Sequence, residues 1–321
     1  MKKRNRFGIF TLVLILSLCG CTQDKIPISS SSDVQKEQDT LPEAEITPEE
    51  EPFLYGYQNL NEEEKTRYRQ ILAGIENYED SVTVEACSEE EINKVSNLVF
   101  VDHPEIFWLE QQNYSFNQKE NSDVDLLELN LVYNMGKDEI EDTKQQIEAK
   151  AEEWSQELSN CENEYDKIKY VYEFLGKNVL YDSESENNQN IQSVFLNQST
   201  VCMGFAKATQ YLLIRNGIFC TLVTGKVMPE NMEHAWNLVR IGENYYYVDT
   251  TWSSSGFVPE EDSIQDFSYT YLCCTAQTLE RSHVPDDNLT LPECKDDSYN
   301  YYKQNQSWYE SYDEAQIYQV L

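Results

Sequence analysis

The sequence predicts an α+β fold: a helix opening at Cys202 packed on an antiparallel sheet, preceded by a smaller α/β region. Three observations carry this. From Cys202 onward, Phe205, Ala206, Thr209, Leu212 and Leu213 recur on one helical face, and Asn216-Gly217 supplies a left-handed stop. Residues 218–226 are rich in Ile, Phe, Thr, Leu and Val, so the buried helix leads straight into a strand. Residues 234–241 and 244–249 then flank Gly242-Glu243, a two-residue hairpin turn with Gly first.

Taken in order, the chain opens on a processing segment. Lys2, Lys3, Arg4 and Arg6 precede an apolar run over 7–18 that is too short to span a bilayer. The run ends in Leu18-Cys19-Gly20-Cys21, which resembles a bacterial lipoprotein box. That resemblance implies a signal peptide over 1–20 and lipidation of Cys21. It also implies anchoring at the outer face of the cytoplasmic membrane, where a diacylglyceryl group supplies the two chains stable anchoring needs. Residues 21–52 carry Ser29–Ser32, several prolines and an acidic stretch with little apolar content, and are expected to be a disordered tether. The chain carries −34 charges, and loss of four basic residues with the leader deepens this to −38. Nucleic acid is excluded as a partner, and anionic headgroups repel such a chain, so the lipid must hold it.

Residues 53–162 form the first region. Helices are expected over 61–78 and over 88–101, the second opening on a capping pair, Ser88 and Glu91. Asp102-His103-Pro104 breaks it, and His103 reads as a turn residue. Strands are expected over 106–116 and 124–133, the latter alternating Leu127, Leu129, Leu131 and Tyr133. A long helix over 137–158 carries a stripe of Ile140, Ile147, Ala151, Trp154 and Leu158, expected to pack on this region's own sheet.

The core spans 163–285. Tyr165, Ile168, Val171, Tyr172, Leu175 and Val179 give its first helix a wide apolar face. A polar loop over 182–190 and a short apolar turn over 191–196 deliver the chain to Cys202. His283, in Arg-Ser-His-Val-Pro, reads as another Pro-flanked stop. Residues 286–321 form a tail with Tyr299, Tyr301, Tyr302, Tyr309 and Tyr312, expected to pack onto the core, with sugar stacking as the alternative. The chain closes on an apolar run over 317–321 without a cap.

The hairpin arithmetic gathers a chemistry. With a two-residue loop, Ile241 faces Asn244, and His234 and Asp249 fall on one sheet face at diagonal positions, roughly 7–8 Å apart at the backbone. A thiol at a helix N-terminus meets the positive end of the macrodipole, which favours its ionised form. Cys202, His234 and Asp249 thus read as nucleophile, base and orienter. A second role competes for Asp249, capping the turn at Thr250-Thr251. If Asp249 only orients, Asp249→Asn is expected to leave the fold nearly intact.

The blocks Val-Cys-Met-Gly-Phe-Ala-Lys-Ala, Met-Glu-His-Ala-Trp-Asn-Leu-Val and Tyr-Tyr-Tyr-Val-Asp-Thr-Thr-Trp resemble the three signature blocks of the transglutaminase-like superfamily, in the form found in bacterial surface lipoproteins. The resemblance covers residues 163–285. It implies a papain-like fold, a Cys202-His234-Asp249 triad and no metal or cofactor. Attack on peptide, protein or cell-wall amide bonds follows from it. Cross-linking members carry Gln before and Trp after the cysteine, where this chain has Val201 and Met203, and no EF-hand-like loop is present. Amide hydrolysis and non-crosslinking acyl transfer are the readings left. Papain-like sites add a side-chain oxyanion donor upstream of the cysteine, for which Gln192 and Gln198 are the candidates.

Two other classes compete. One is a silent binding or scaffold lipoprotein that keeps the fold. The other is a metal module on Cys202, His234 and Asp249, which lacks a fourth ligand. Outside Cys21 and Cys202, Cys87, Cys161, Cys220, Cys273, Cys274 and Cys294 permit three bridges, but no spacing suggests a small disulfide scaffold and no Cys-x-x-Cys pair suggests structural zinc.

Overall fold

The computed structural model describes residues 41–109, 115–119, 126–253 and 267–307. The expected signal segment, Cys21 and the expected tether as far as Thr40 lie outside the described residues, as do Tyr309, Tyr312 and the run 317–321. The tether expected through residue 52 is packed from residue 41 onward. Ala44 is buried and its N–H donates to the Arg69 carbonyl at 2.9 Å, while Glu43 pairs with Arg69 at 2.7 Å. Acidic composition concealed the few apolar residues, Ala44 and Ile46, that anchor this stretch.

A turn at Glu51–Phe53 leads to α1 (Tyr55–Gln58) and α2 (Glu62–Glu76). Asn61 and Glu64 form a reciprocal capping box at the start of α2. Strand β1 (Ser81–Glu85) follows, then α3 (Glu89–Asp102), whose first turn is capped by Ser88 Oγ accepting from the Glu91 N–H at 3.1 Å. Strands β2 (Ser115–Lys119) and β3 (Leu126–Asn130) complete an antiparallel sheet in the order β1-β3-β2. The expected strand over 106–116 is corrected in part: its end falls in β2, residues 110–114 lie outside the described residues, and Ile106, Phe107, Trp108 and Leu109 are core residues, with Leu109 bridged to Tyr133 just past β3. The unforeseen strand β1 is five residues long and has only two buried side chains, Val82 and Val84, to announce it.

Helix α4 (Lys137–Ser155) buries Ile140, Ile147, Ala151 and Trp154 of the expected stripe, Leu158 follows in a 3₁₀ turn, and the C-terminal end packs on the core rather than on its own region's sheet. Trp154 stacks on Phe195 and leans on Phe174 of the core, and Glu148 binds Arg215 through both carboxylate oxygens at 2.7 Å. One hydrophobic core runs through both regions, so the boundary at 162/163 is not a break in packing. Gln210 reinforces the join, donating to the Val101 carbonyl at 2.8 Å.

Helix α5 (Glu164–Asn178) begins the core, and a π-helical turn at Ser193–Asn197 separates β4 (Leu180–Tyr181) from its parallel partner β5 (Ser199–Thr200). Next come α6 (Cys202–Arg215), β6 (Cys220–Val227), β7 (Met232–Ile241) and β8 (Asn244–Val248). After a 3₁₀ turn at Thr250–Ser253 the chain continues through α7 (Ala276–Leu279), β9 (His283–Pro285) and α8 (Tyr301–Gln304). The second sheet is antiparallel throughout in the order β8-β7-β6-β9. His283 is therefore a strand residue, which corrects its reading as a stop. The described tail packs on the core: Tyr301 stacks on Tyr269 and Tyr299 on Tyr165, while Asp296 accepts from Tyr246 and Asn244. Among the described residues no helix is long and apolar enough to cross a membrane, and the seven described cysteines are all unbridged.

Candidate active site

The site grows from the way β7 is buried on both faces from His234 to Val239. Ala235, Asn237 and Val239 turn toward α6, and Asn237 Nδ2 donates to the Ala206 carbonyl at 3.0 Å, fixing strand to helix. Trp236 and Leu238 turn the other way and pack with Tyr247, Tyr271 and Cys274. His234 shares the face of Trp236 and sits near the strand's start, where it reaches Cys202. Thr209 Oγ1 and Thr250 Oγ1, 2.9 Å apart, tie α6 to the turn after β8.

Cys202 is the first residue of α6, as expected, after the extended N-cap Val201. No side chain caps this terminus. Gly204 permits the close entry: a Cβ there would lie 1.9 Å from Thr200 Oγ1. The β7–β8 register pairs Ile241 with Asn244, as the hairpin arithmetic requires, and its continuation sets Asp249 opposite Trp236, diagonal to His234. His234 Nε2 lies 2.8 Å from Asp249 Oδ2. The ring's other nitrogen, Nδ1, is free of Asp249, and Cys202 lies close enough to the imidazole to raise its pKa.

Asp249 is fully buried and does more than face one ring. Its Oδ1 accepts from the Thr251 N–H at 2.9 Å, so the capping role is filled as well. Its Oδ2 also meets His283 Nε2 at 3.0 Å. Burial would lower the His234 pKa, but the charge and hydrogen bond of Asp249, with the Cys202 contact, raise it to about 10. Burial would raise Asp249, and His234 and His283 together hold it below the usual carboxylate range. Trp236, Trp252 and Tyr271 surround the two imidazoles, with ring centroids 4.9–6.1 Å from them.

His283 is the residue that sequence reasoning missed. It lies on β9, which pairs with β6 across a long excursion, so no hairpin arithmetic connects it to Asp249. His234, Asp249 and His283 place ligand-type atoms within 4.8 Å of one another. This is a different set from the Cys202-His234-Asp249 ligands of the metal reading. Two N–H donors on one carboxylate oxygen account for its closeness. Of the oxyanion candidates, Gln192 is half-buried with Oε1 unpartnered among the described residues. Gln198 is exposed, in a left-handed conformation (φ 51°) that ends the π-helical turn. His103 caps the C-terminus of α3 and binds Glu105 at 2.8 Å, apart from the triad.

The geometry defines a class: a buried His–Asp pair aimed at a cysteine that opens a core helix. Residues 152–250 match the family model of the transglutaminase-like superfamily, and this part of the chain is a transglutaminase-like domain. Kyphoscoliosis peptidase of Mus musculus is 23% identical over 147 residues, covering 40% of this chain and 22% of that protein. Among solved structures, a crystal structure of a TGase is similar at 17% identity and TM-score 0.32, covering 48% of this chain and 47% of the other. A candidate cysteine protease from Cytophaga hutchinsonii is similar at 17% identity and TM-score 0.30, covering 44% and 62%. The chain thus spans about a fifth of the curated relative and about half of the first structure.

Proposed function

We propose that this chain is an extracytoplasmic lipoprotein whose Cys202, His234 and Asp249 cleave or transfer amide bonds of peptide, protein or cell-wall substrates. The observation that carries the reading is His234 Nε2 held 2.8 Å from Asp249 Oδ2, with Nδ1 left free of the carboxylate and Cys202 near enough to raise the pKa of the ring. In the reaction Cys202 first gives its proton to His234 Nδ1, and the resulting thiolate attacks the substrate carbonyl carbon, forming a C–S bond while the carbonyl π electrons move to oxygen as an oxyanion. The Cys202 N–H and the amide of Gln192 or Gln198 receive that oxyanion. The proton then moves to the leaving amine as the C–N bond breaks, leaving a thioester. Water or a second amine resolves the thioester and restores the thiol.

The test is the pH profile of Cys202 alkylation, read by mass mapping because Cys87 and Cys161 are also part-exposed. A thiolate paired with His234 is expected to react at neutral pH, and His234→Ala should slow it by about tenfold or more. A wild-type profile following a free thiol near pH 8.5 favours the silent scaffold instead. Anchoring is tested separately: Cys21→Ala should release the chain from membranes with its domain folded. Retention of that variant after a salt wash removes the lipoprotein reading.

A further inference from the structure

Building on the triad reading, we propose that His283 is a positioning residue. It donates from Nε2 to the carboxylate oxygen that His234 also uses, and thereby fixes both rings with Nε2–H toward Asp249, leaving Nδ1 of His283 bare and Nδ1 of His234 as the position that takes the Cys202 proton. The argument is one of donors and acceptors. An ionised Asp249 only accepts, so each nitrogen facing Oδ2, at 2.8 Å from His234 and 3.0 Å from His283, carries hydrogen. For His234 this leaves Nδ1, free of the carboxylate, as the position that takes up the Cys202 proton, as a general base requires. For His283 it leaves Nδ1 as the acceptor for Ser282 Oγ at 2.8 Å. The Ser282 hydroxyl spends its hydrogen on that bond, so it accepts from Tyr271 OH at 2.6 Å. The chain Tyr271–Ser282–His283–Asp249–His234 then has one consistent set of hydrogens.

The fold builds this arrangement deliberately. Strand β6 lies between β7 and β9, pairing Gly225 with His234 and Val227 with His283. Both histidines therefore emerge on one sheet face, with the side-chain-free Gly225 between them, and their rings sit 5.4 Å apart. A Cβ at Gly225 would lie 2.7 Å from Trp236 Cη2 and 2.3 Å from the Val284 carbonyl. His283 is completely buried, and a buried polar ring without catalytic or structural use costs stability. Of the other titratable groups, Tyr172 of α5 and Tyr271 and Cys274 before α7 feel the charge of Asp249, with Arg281 beyond Tyr271, while Cys202 of α6 acts on His234 and Tyr181 of β4 faces Cys202. Burial and the charge of Asp249 push Tyr172 and Cys274 well up, so neither competes for a proton near neutrality.

The direct test is ¹⁵N spectroscopy of histidine-labelled protein, tractable because the chain has three histidines. His283 is expected to show a protonated Nε2 and a bare Nδ1 at neutral pH, and a proton on Nδ1 overturns the proposal. The functional test is the alkylation profile of Cys202 in three variants. His283→Gln keeps a donor near the position of Nε2 and should stay within about twofold of wild type. His283→Leu removes the donor, so Asp249 takes up a proton at higher pH. The acid limb should rise by about one pH unit, while the rate at neutral pH, where Asp249 is still ionised, stays within about twofold of wild type. Ser282→Ala frees the His283 tautomer from a part-exposed position, should move the limb the same way by less, and serves if His283→Leu does not fold. Limbs superimposed on wild type in both His283→Leu and Ser282→Ala overturn the proposal. A wild-type thiol with no enhanced reactivity instead overturns the triad reading, and the spectra then decide the His283 tautomer by themselves.

Discussion

Asp249 has two oxygens and three donors: the Thr251 N–H on Oδ1, and His234 and His283 on Oδ2. The two roles that compete for it in the sequence, orienter and turn cap, are held together in the structure. This revises the expectation that Asp249→Asn leaves the fold nearly intact. An asparagine that keeps Oδ1 on Thr251 turns its NH₂ toward two ring N–H groups, and at least one histidine must change tautomer or move. We expect a stability loss of about 2–4 kcal/mol by denaturant unfolding. Acylation of Cys202 by an activated ester should fall by about 10- to 1000-fold in the folded fraction, less than the ~10⁴ of the equivalent serine-enzyme change, because a thiol is intrinsically more nucleophilic. A folded fraction that acylates at the wild-type rate removes Asp249 from the chemistry and leaves only the cap.

At the scale of elements, what was legible in the sequence was whatever local spacing encodes. Phe205, Ala206, Thr209, Leu212 and Leu213 mark a helical face, and all five are buried. The Gly242-Glu243 turn fixes the register that sets His234 and Asp249 on one face. What stayed hidden is set by long-range pairing. Three-residue β9 has no periodicity of its own, and its partner β6 precedes it by more than fifty residues. The target of α4 was misplaced for a similar reason: an apolar stripe announces burial but not against what, and Trp154 finds Phe174 and Phe195. The tether's end was misplaced because charge density outweighed two apolar residues. The β6–β9 contact gives an element-level prediction. Gly225→Ala forces Trp236 or β9 to shift, since the Val284 carbonyl stands 2.3 Å from the new carbon. We expect a destabilisation of about 1–3 kcal/mol, with the ¹⁵N signals of His234 and His283 both perturbed while that of His103 stays put. An unperturbed pair of signals means that β9 does not control the site.

For the whole molecule, the site's charges predict how stability follows pH, and the sign follows from each shift. His234 has a folded pKa raised from 6.5 to about 10. Its contribution is fully present below the unfolded value of 6.5 and is lost as pH rises from there through about 10. Asp249 is shifted the other way, below 3.8. Its contribution is present above 3.8 and is lost as pH falls through the lower folded value. The window in which both contributions stand is therefore about pH 4 to 6.5. Net charge bends the outer limits. With 58 acidic against 24 basic residues, self-repulsion grows as carboxylates ionise and weakens the fold on the alkaline side of the window. The two effects separate by salt, because surface repulsion is screened and a buried pair is not. We expect the melting temperature to fall between pH 7 and 10 and salt to recover only part of that loss. His234→Ala should abolish the part that salt does not recover. If high salt flattens the alkaline limb completely in the wild type, the His234–Asp249 pair contributes nothing to stability, and its strength in the folded state has been overstated.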